Sequence, residues 1–190
     1  MDSDRKRLIV GISGASGIIY GIRLLELLND LKIESHLVMS KAAVVTAGLE
    51  VKRKISEINE LASVVHKVDD IGASIASGSF KTDGMLIVPC SVKTMSEINC
   101  GVTSSLLTRA ADVTLKERRK LLLMVRETPL HLGHLRTMTS LTEMGAIIAP
   151  PVPALYCNPS SIEEIVDQTL GRVLDLFGIE TASLKRWKSS

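Results

Sequence analysis

Aromatic residues are scarce in this chain, which has one Trp, two Tyr and two Phe among its 190 residues. Five rings are too few to form the stacking platform that single-stranded nucleic-acid binders use. The chain also lacks an excess of charge, since 23 Lys and Arg residues face 21 Asp and Glu residues and leave a net charge of +2. That balance excludes the strongly basic surface of a nucleic-acid-binding protein.

Cysteine is rare too, and the three residues Cys90, Cys100 and Cys157 form no CxxC pair. This odd, widely spaced set argues against a disulfide framework or a structural zinc site and favours a reducing compartment. The apolar run Leu8–Ile12, which follows the charged segment 1–7, is too short for a signal sequence or a membrane span. We therefore expect a cytoplasmic protein without membrane insertion.

Hydrophobic residues, at 45% of the chain, are enough for a sizeable core and too many for disorder. Short apolar segments alternate with segments of helical periodicity. The predicted strands are Leu8–Ser13, Ile33–Met39, Gly84–Val88, Leu121–Val125 and Ala146–Ala149. The predicted helices are 18–31, 41–50, 54–64, 92–99, 106–119, 129–144 and 161–177, with N-caps at Ser40, Ser91, Thr128 and Ser160.

This alternation predicts βαβ units, and therefore a parallel sheet with helices on both faces in a three-layer α/β/α fold. Because neither a repeat nor a linker is visible, residues 1–190 are predicted to form one domain with flexible ends at 1–7 and 188–190. Ligands of such open sheets bind beyond the carboxyl ends of the strands. The segments at those ends are Ser13–Gly17, Ser40–Lys41, Pro89–Thr94, Arg126–Pro129 and Pro150–Tyr156.

The glycine-rich segment Gly11–Gly17 lies between a strand and a helix, where small residues let the backbone approach a phosphate. It is not a GxGxxG fingerprint, because Ser13 stands at the middle glycine position. The second strand is followed by no acidic residue that could bind a ribose. The pattern favours a mononucleotide or another phosphate over NAD, and a tight turn needed only for packing is the alternative.

Two further segments carry groups suited to an anion. In Pro89–Thr94, two hydroxyls and the Lys93 ammonium could hold an anion or a ring edge, or Ser91 could simply cap a helix. Arg126 and Glu127 leave an apolar strand as a charged pair. The arginine could clamp a phosphate and the glutamate could act as acid or base, and a structural ion pair is the alternative.

Other charged and metal-ligating residues have plainer interpretations. Arg109, Asp112 and Lys116 share one helical face, which is typical of a solvated stripe. His131 and His134 lie one helical turn apart, but no third ligand follows a metal-site spacing. We therefore predict no metal.

Longer stretches of the chain carry a more specific signal. In order, they are GISGASGIIYGIRLLELL, HLVMSKAA, SGSF, VPCSVKT, LLTRAADVTLKERR, VRETPLHLGHL, PPVPALY and RW. These motifs extend from about Leu8 to Trp187 and resemble those of the UbiX-type flavin prenyltransferases. Their length and order make chance similarity a poor explanation.

The resemblance implies a flavodoxin-like three-layer α/β/α fold. It also implies transfer of a dimethylallyl group from dimethylallyl phosphate to N5 and C6 of reduced FMN, with release of phosphate and without a metal. The product, prenylated FMN, would serve a UbiD-type decarboxylase, often in ubiquinone biosynthesis or aromatic acid breakdown. Relatives assemble as dodecamers with sites at subunit contacts.

The resemblance also implies the site residues. Those expected to bind FMN are Gly14, Ala15, Ser16, Ser40, Ser91, Val92, Lys93, Thr94 and Arg126. Four residues are expected to be catalytic. Ser16 would lie beside flavin N5, Glu50 and Glu127 would lie near the reacting groups, and Lys116 is the fourth. Those expected to bind dimethylallyl phosphate are Arg109, Lys116, Tyr156, Arg172 and Trp187, the last at the prenyl pocket.

These residue types suit the implied chemistry. Cations and a tyrosine hydroxyl would stabilise the charge on the leaving phosphate without a metal. A π-rich pocket would suit the carbocation character left behind. Closing the ring at C6 requires loss of a proton, which Glu127 or the released phosphate could accept.

The chain departs from some relatives in one place, because 70–72 reads Asp-Ile-Gly where they carry a tryptophan. This leaves open how the allylic cation is shielded. A flavin-dependent decarboxylase of the related cysteine-decarboxylase superfamily is the first alternative. It is disfavoured because segment 18–21 lacks the histidine expected there. A non-catalytic FMN carrier and a nicotinamide oxidoreductase are the others.

Overall fold

Six parallel strands form one sheet in the computed structural model, which describes residues 6–182 and 184–187. The strands are β1 Arg7–Ile12, β2 Glu34–Met39, β3 Val64–His66, β4 Gly84–Cys90, β5 Lys120–Val125 and β6 Ile147–Ile148. They pair in the order β3-β2-β1-β4-β5-β6, and every neighbouring pair is parallel. This is a doubly wound order, whose direction reverses between β1 and β4.

Seven α-helices occur in the described part of the chain. They are α1 Ile18–Asp30, α2 Lys41–Glu50, α3 Ile55–Asn59, α4 Val92–Asn99, α5 Leu106–Lys116, α6 Leu132–Glu143 and α7 Ile162–Asp175. Residues up to Pro150 and residues from Pro151 onward form two compact units, and α7 belongs to the second. Of the ends expected to be flexible, residues 1–5 and 188–190 lie outside the described residues, and Arg7 begins β1.

The layers follow from strands that are apolar on both faces. In β1, Leu8 and Val10 alternate with Ile9, and all three are buried. Ile9 joins a core cluster with residues of α4, α5 and α6, such as Leu107. The crossovers from β1 to β2 and from β4 to β5 run in opposite directions, so right-handed connections place α1 and α5 on opposite faces. The predicted α/β class is confirmed.

The structure corrects the helix predicted over 54–64. Helix α3 ends at Asn59, and the edge strand β3 follows at Val64–His66. Val64 and Val65 are partly exposed because β3 pairs on one side only, with β2. Three residues are too few to show the alternation that marks a strand, so the pattern of 54–64 was misassigned.

The predicted start of α6 is also wrong, because α6 begins at Leu132 rather than after Thr128. Its N-cap is His131, whose ring Nδ1 accepts hydrogen bonds from the backbone N–H groups of Gly133 at 3.0 Å and His134 at 3.4 Å. The first N–H groups of a helix need an acceptor, and the imidazole supplies it. His131 therefore has a structural role here.

Several other helix ends differ from prediction by one to three residues. Helix α7 is capped by Ser161 rather than Ser160, since the Ser161 hydroxyl accepts from the Glu164 N–H at 3.2 Å. Helix α5 ends at Lys116, and Arg118 takes a left-handed φ of 57° that stops it before residue 119. None of the helices in the described residues has the length and apolar character of a membrane span.

A polar cluster lies at the amino-end side of the sheet, opposite the edge where a ligand is expected. Arg7 donates two hydrogen bonds to Glu34, at 2.6 and 3.0 Å. The His36 Nε2 lies 2.8 Å from the same carboxylate, and its Nδ1 lies 2.9 Å from Nε2 of His66. The Phe80 ring packs edge-on against His36, with their centroids 5.1 Å apart. The cluster ties β1, β2 and β3 together.

This cluster predicts a specific loss of stability in acid. The hydrogen bonds from Arg7 lower the pKa of Glu34 from 4.5 to about 2, burial opposes them, and His36 adds to the lowering. A lowered carboxyl pKa stabilises the fold above pH 4.5, and that contribution disappears as pH falls from 4.5 to about 2. We expect Glu34→Gln to lower the free energy of unfolding at pH 7 by about 2 kcal/mol. Urea denaturation at pH 7, 4 and 2.5 should show the difference from wild type closing in acid; a constant difference would contradict the assignment.

Candidate functional site

A cavity of about 530 Å³ opens at the carboxyl ends of the strands in the first unit. Segments after β1, β2, β4 and β5 contribute to it, together with the start of α5. Its size lies within the ~300–1,000 Å³ typical of small-molecule sites. The residues that line the cavity include Gly14, Ala15, Ser16, Ser40, Lys41, Asp69, Ser91, Val92, Lys93, Thr94, Glu97, Ser105, Thr108, Arg126 and Glu127.

All nine residues expected to bind FMN therefore line one cavity, and Glu127 lies with them. This juxtaposition follows from the strand order, because the switch between β1 and β4 brings the first and third of the predicted segments side by side. Glu50, Lys116 and Arg109 do not line the cavity.

Gly14 forms part of the cavity wall, where no side chain can fit. A Cβ at Gly14 would lie 2.4 Å from the Cβ of Ala42, in the first turn of α2. The close approach of α2 to the end of β1 therefore depends on this glycine.

A substitution tests this packing. We expect Gly14→Ala to lower the free energy of unfolding by about 1–3 kcal/mol through overpacking. The matched control is Gly48→Ala in the same helix α2, where a Cβ meets nothing within 4 Å. That change should be neutral or should stabilise by about 0.5–1 kcal/mol. Urea denaturation of both variants measures the contrast, and equal effects would refute the role of Gly14.

Glu50, the last residue of α2, contacts the start of α1. Its carboxylate accepts hydrogen bonds from the N–H groups of Gly17 and Ile18, each at 2.9 Å. Burial raises the pKa of this carboxyl, but the hydrogen bonds from the Ser16 hydroxyl and the two N–H groups, with the charge of Arg126, hold it below its ordinary value. An anion thus already occupies this helix end. That a ligand phosphate binds to the rest of the glycine-rich segment stays a prediction.

The hydroxyls on the cavity wall cap helices. The Ser40 hydroxyl accepts from the Ala43 N–H at 3.0 Å and so caps α2. The Ser91 hydroxyl accepts from the Thr94 N–H at 3.3 Å and lies 3.2 Å from the Thr94 hydroxyl. Both capping roles were predicted. Ser91 donates its own proton to Thr94, whereas the hydroxyls of Ser40 and Thr94 accept and still have a proton to donate, so capping and ligand binding are compatible.

Cations in the cavity differ in whether they are already paired. Lys41 lies 3.0 Å from Asp69, and Lys93 lies 3.8 Å from Glu97. Within residues 6–182 and 184–187, the exposed Arg126 guanidinium has no hydrogen bond and no ion pair within 4 Å. Its own neighbour Glu127 instead accepts from the Thr128 N–H at 2.9 Å. Arg126 is therefore the cation best placed to receive a ligand anion, and the structural ion pair with Glu127 is not formed.

Helix α5 carries two predicted donor-phosphate ligands beside the loop that contains Gly78. Arg109 binds Asp112 at 2.7 Å and donates to the Ala76 carbonyl at 3.2 Å. Lys116, about half exposed, pairs with its neighbour Glu117. A Cβ at Gly78 would lie 2.8 Å from the Lys116 ammonium. The stripe predicted as solvated is thus partly engaged with this loop.

The second unit holds the other three predicted ligands. The rings of Tyr156 and Trp187 meet edge to face with centroids 5.1 Å apart, and Arg172 pairs with Asp175 at 2.7 Å. Both rings are exposed, at 47% for Tyr156 and 66% for Trp187. Of these three residues, which are predicted to act together, Tyr156 and Trp187 are in direct contact through their rings.

Gln168, which no sequence motif indicated, fixes the segment before Trp187. The side chain of Gln168 accepts from the Lys185 N–H at 2.9 Å and donates to the Lys185 carbonyl at 2.8 Å. The Tyr156 hydroxyl donates to the same carbonyl at 3.2 Å. Gln168 is 6% exposed, and nothing in the local sequence marks a buried glutamine that binds 17 residues away.

Metal and thiol chemistry find little support in the described residues. No group of three or more His, Cys, Asp or Glu residues there is arranged to hold a metal ion. Cys90 is fully buried, and burial raises the pKa of its thiol well above the ordinary value. A thiol in that state is a poor nucleophile.

Comparison with known proteins identifies the family. A family model described as Flavoprotein matches residues 1–174. The flavin prenyltransferase UbiX of Escherichia coli is 58% identical over 188 residues, which are 97% of this chain and 100% of that protein. The chain belongs to the UbiX-type flavin prenyltransferase family.

Two solved structures of UbiX-type proteins extend the comparison to three dimensions. AnUbiX in complex with FMN and dimethylallyl pyrophosphate superposes with a TM-score of 0.96 at 47% identity, covering 98% of this chain and 99% of that one. A dodecameric FMN-dependent UbiX-like decarboxylase from Escherichia coli has a TM-score of 0.94 at 45% identity, with 96% and 100% covered. The flavodoxin-like fold implied by the UbiX-type motifs is confirmed.

Proposed function

We propose that this flavin prenyltransferase joins the dimethylallyl group of dimethylallyl phosphate to N5 and C6 of reduced FMN and releases phosphate. The observation that carries the proposal is the single cavity whose wall is formed by three UbiX-type motifs, GASG, PCSVKT and RETP. The proposed product is prenylated FMN, for use by a UbiD-type decarboxylase.

The cavity wall fits a flavin mononucleotide. Gly14 lines the cavity at the point where α2 packs closely against the end of β1. Ser40, Ser91 and Thr94 supply hydroxyls, and Arg126 supplies the cation that a phosphate or an electron-rich ring edge requires. Bound FMN, once reduced, would supply the nucleophilic N5 and C6 positions.

The residues of this chain have distinct proposed roles. Glu50 is proposed to orient the Ser16 hydroxyl, whose hydrogen bond helps to hold the pKa of the Glu50 carboxyl below its ordinary value. That hydroxyl is proposed to lie beside N5. Glu127, in the cavity wall, is the proposed acceptor of the ring proton, and the released phosphate is the alternative acceptor.

The departure of the phosphate is favoured by positively charged groups that stabilise its growing negative charge. Lys116, Arg109 and Arg172, with the Tyr156 hydroxyl, are proposed to stabilise the charge that develops on it. Trp187 is proposed to face the allylic cation, whose charge is attracted to a ring face. Because these groups come from α5 and from the second unit, assembly with other copies, as in the dodecameric relative, is part of the proposal. A cytoplasmic location is proposed as well.

The decisive experiment supplies both substrates to the purified protein without oxygen. Reduced FMN and dimethylallyl phosphate are mixed with the enzyme, and the flavin is analysed by mass spectrometry. We expect the mass of FMN plus one dimethylallyl group, and none when protein or donor is omitted. If neither the monophosphate nor dimethylallyl diphosphate yields that mass, the proposal fails.

A decarboxylase is the second candidate, because one structurally similar relative is described as a UbiX-like decarboxylase. Release of carbon dioxide from an aromatic or cysteinyl acid by this chain alone would favour it. We expect no such release, and the same protein preparation should still prenylate FMN.

A further inference from the structure

The segments after β1 and β4 are joined by a single buried side chain, that of Ser13. Its hydroxyl donates to the Pro89 carbonyl at 2.9 Å and accepts from the Ser91 N–H at 2.7 Å. The Ser13 N–H also donates to the Pro89 carbonyl, at 3.2 Å. Ser13 is 1% exposed, so these partners have no water to replace it.

These bonds lie just beyond the end of the strand pair. The ladder between β1 and β4 ends with Gly11 opposite Ile87, and the pairing of β4 with β5 becomes irregular between Ile87 and Cys90. Ser13 therefore continues the connection where regular pairing has stopped. Gly14, which directly follows Ser13, and Ser91, which bonds to its hydroxyl, both line the cavity.

We propose that Ser13 is a positioning residue that sets the spacing between the two halves of the flavin cavity. The inference rests on the proposed function. It also explains why a serine occupies the middle glycine position of the loop: a glycine there would keep the backbone bond to Pro89 but lose both hydroxyl bonds. Ser13 itself does not line the cavity, so it acts through the segments that it joins.

The test compares Ser13→Ala with Ser35→Ala. Ser35 is also 1% exposed, and it exchanges two backbone-to-hydroxyl hydrogen bonds with Ser63, each 3.1 Å, at the other end of the sheet. Affinity for oxidised FMN is measured by quenching of flavin fluorescence, and stability is measured by thermal unfolding of the same preparations. We expect Ser13→Ala to weaken FMN binding about 10- to 100-fold. Ser35→Ala should lower the melting temperature without changing FMN affinity.

Equal FMN affinity of Ser13→Ala and wild type overturns the inference, and so does an equal loss in both variants. If Ser13→Ala does not fold, Ser13→Cys takes its place, because a thiol is similar in size but bonds weakly; it should also weaken FMN binding, and unchanged affinity would overturn the inference. Failure of the wild-type protein to bind FMN at all would instead count against the proposed function.

Discussion

Replacing Lys116 with alanine is expected to slow prenyl transfer by about 10²- to 10³-fold. The ammonium of Lys116 is partly exposed, pairs with Glu117 and does not line the flavin cavity. It is therefore free to exchange its carboxylate partner for the phosphate of the donor. Because the charge on that phosphate grows as the allylic bond breaks, the loss should appear in the rate of transfer. Affinity for FMN should not change.

Single-turnover formation of prenylated FMN measures the rate, and flavin fluorescence measures the affinity. The control is Lys81→Ala, which removes the same charge from an exposed side chain at the amino end of β4, away from the cavity. Loss of FMN affinity in Lys116→Ala, or equal rate losses in the two variants, would place Lys116 outside the donor site.

Removing the Tyr156 hydroxyl or the Trp187 ring is expected to impair prenyl transfer far more than FMN binding. For Tyr156→Phe we expect a loss of about 10²-fold in rate, because one hydrogen-bond donor to the leaving phosphate disappears. For Trp187→Leu we expect about a tenfold loss, in line with the worth of a desolvated cation–π contact.

The same two assays decide this prediction, with Ile162→Ala as control. Ile162 is an apolar residue of the same unit, 67% exposed, at the start of α7. It should leave both rate and affinity unchanged. A parallel fall in FMN affinity for either ring variant would assign that ring to the flavin rather than to the donor.

Local pattern was sufficient to predict every strand of the sheet except the edge strand β3. Strands such as β1 are apolar on both faces, and the turn residues after them mark where a ligand binds. The pattern did not predict β3 because Val64 and Val65 lie partly exposed at the edge of the sheet. The start of α6 was misplaced because Pro129 is a common first helical residue, whereas the actual cap is an imidazole.

In the candidate site, too, contacts between residues close in sequence could be predicted and contacts between distant residues could not. Helix caps such as Ser40 and Ser91 depend on residues three positions away and were predicted. The bonds of Glu50 to Gly17 and Ile18 join residues more than 30 positions apart. No periodicity encodes such a contact, and it adds a carboxylate of the chain itself to the end of the glycine-rich loop.

Gln168 has one further consequence, for the reach of Trp187. An amide side chain that both donates to and accepts from Lys185 reproduces the pair of bonds that a neighbouring strand would make. Trp187 lies two positions after this fixed point, so its Cα is at most about 7 Å from that of Lys185. While the amide bonds hold, the Trp187 ring stays near Lys185, within the reach of this short backbone and its own side chain.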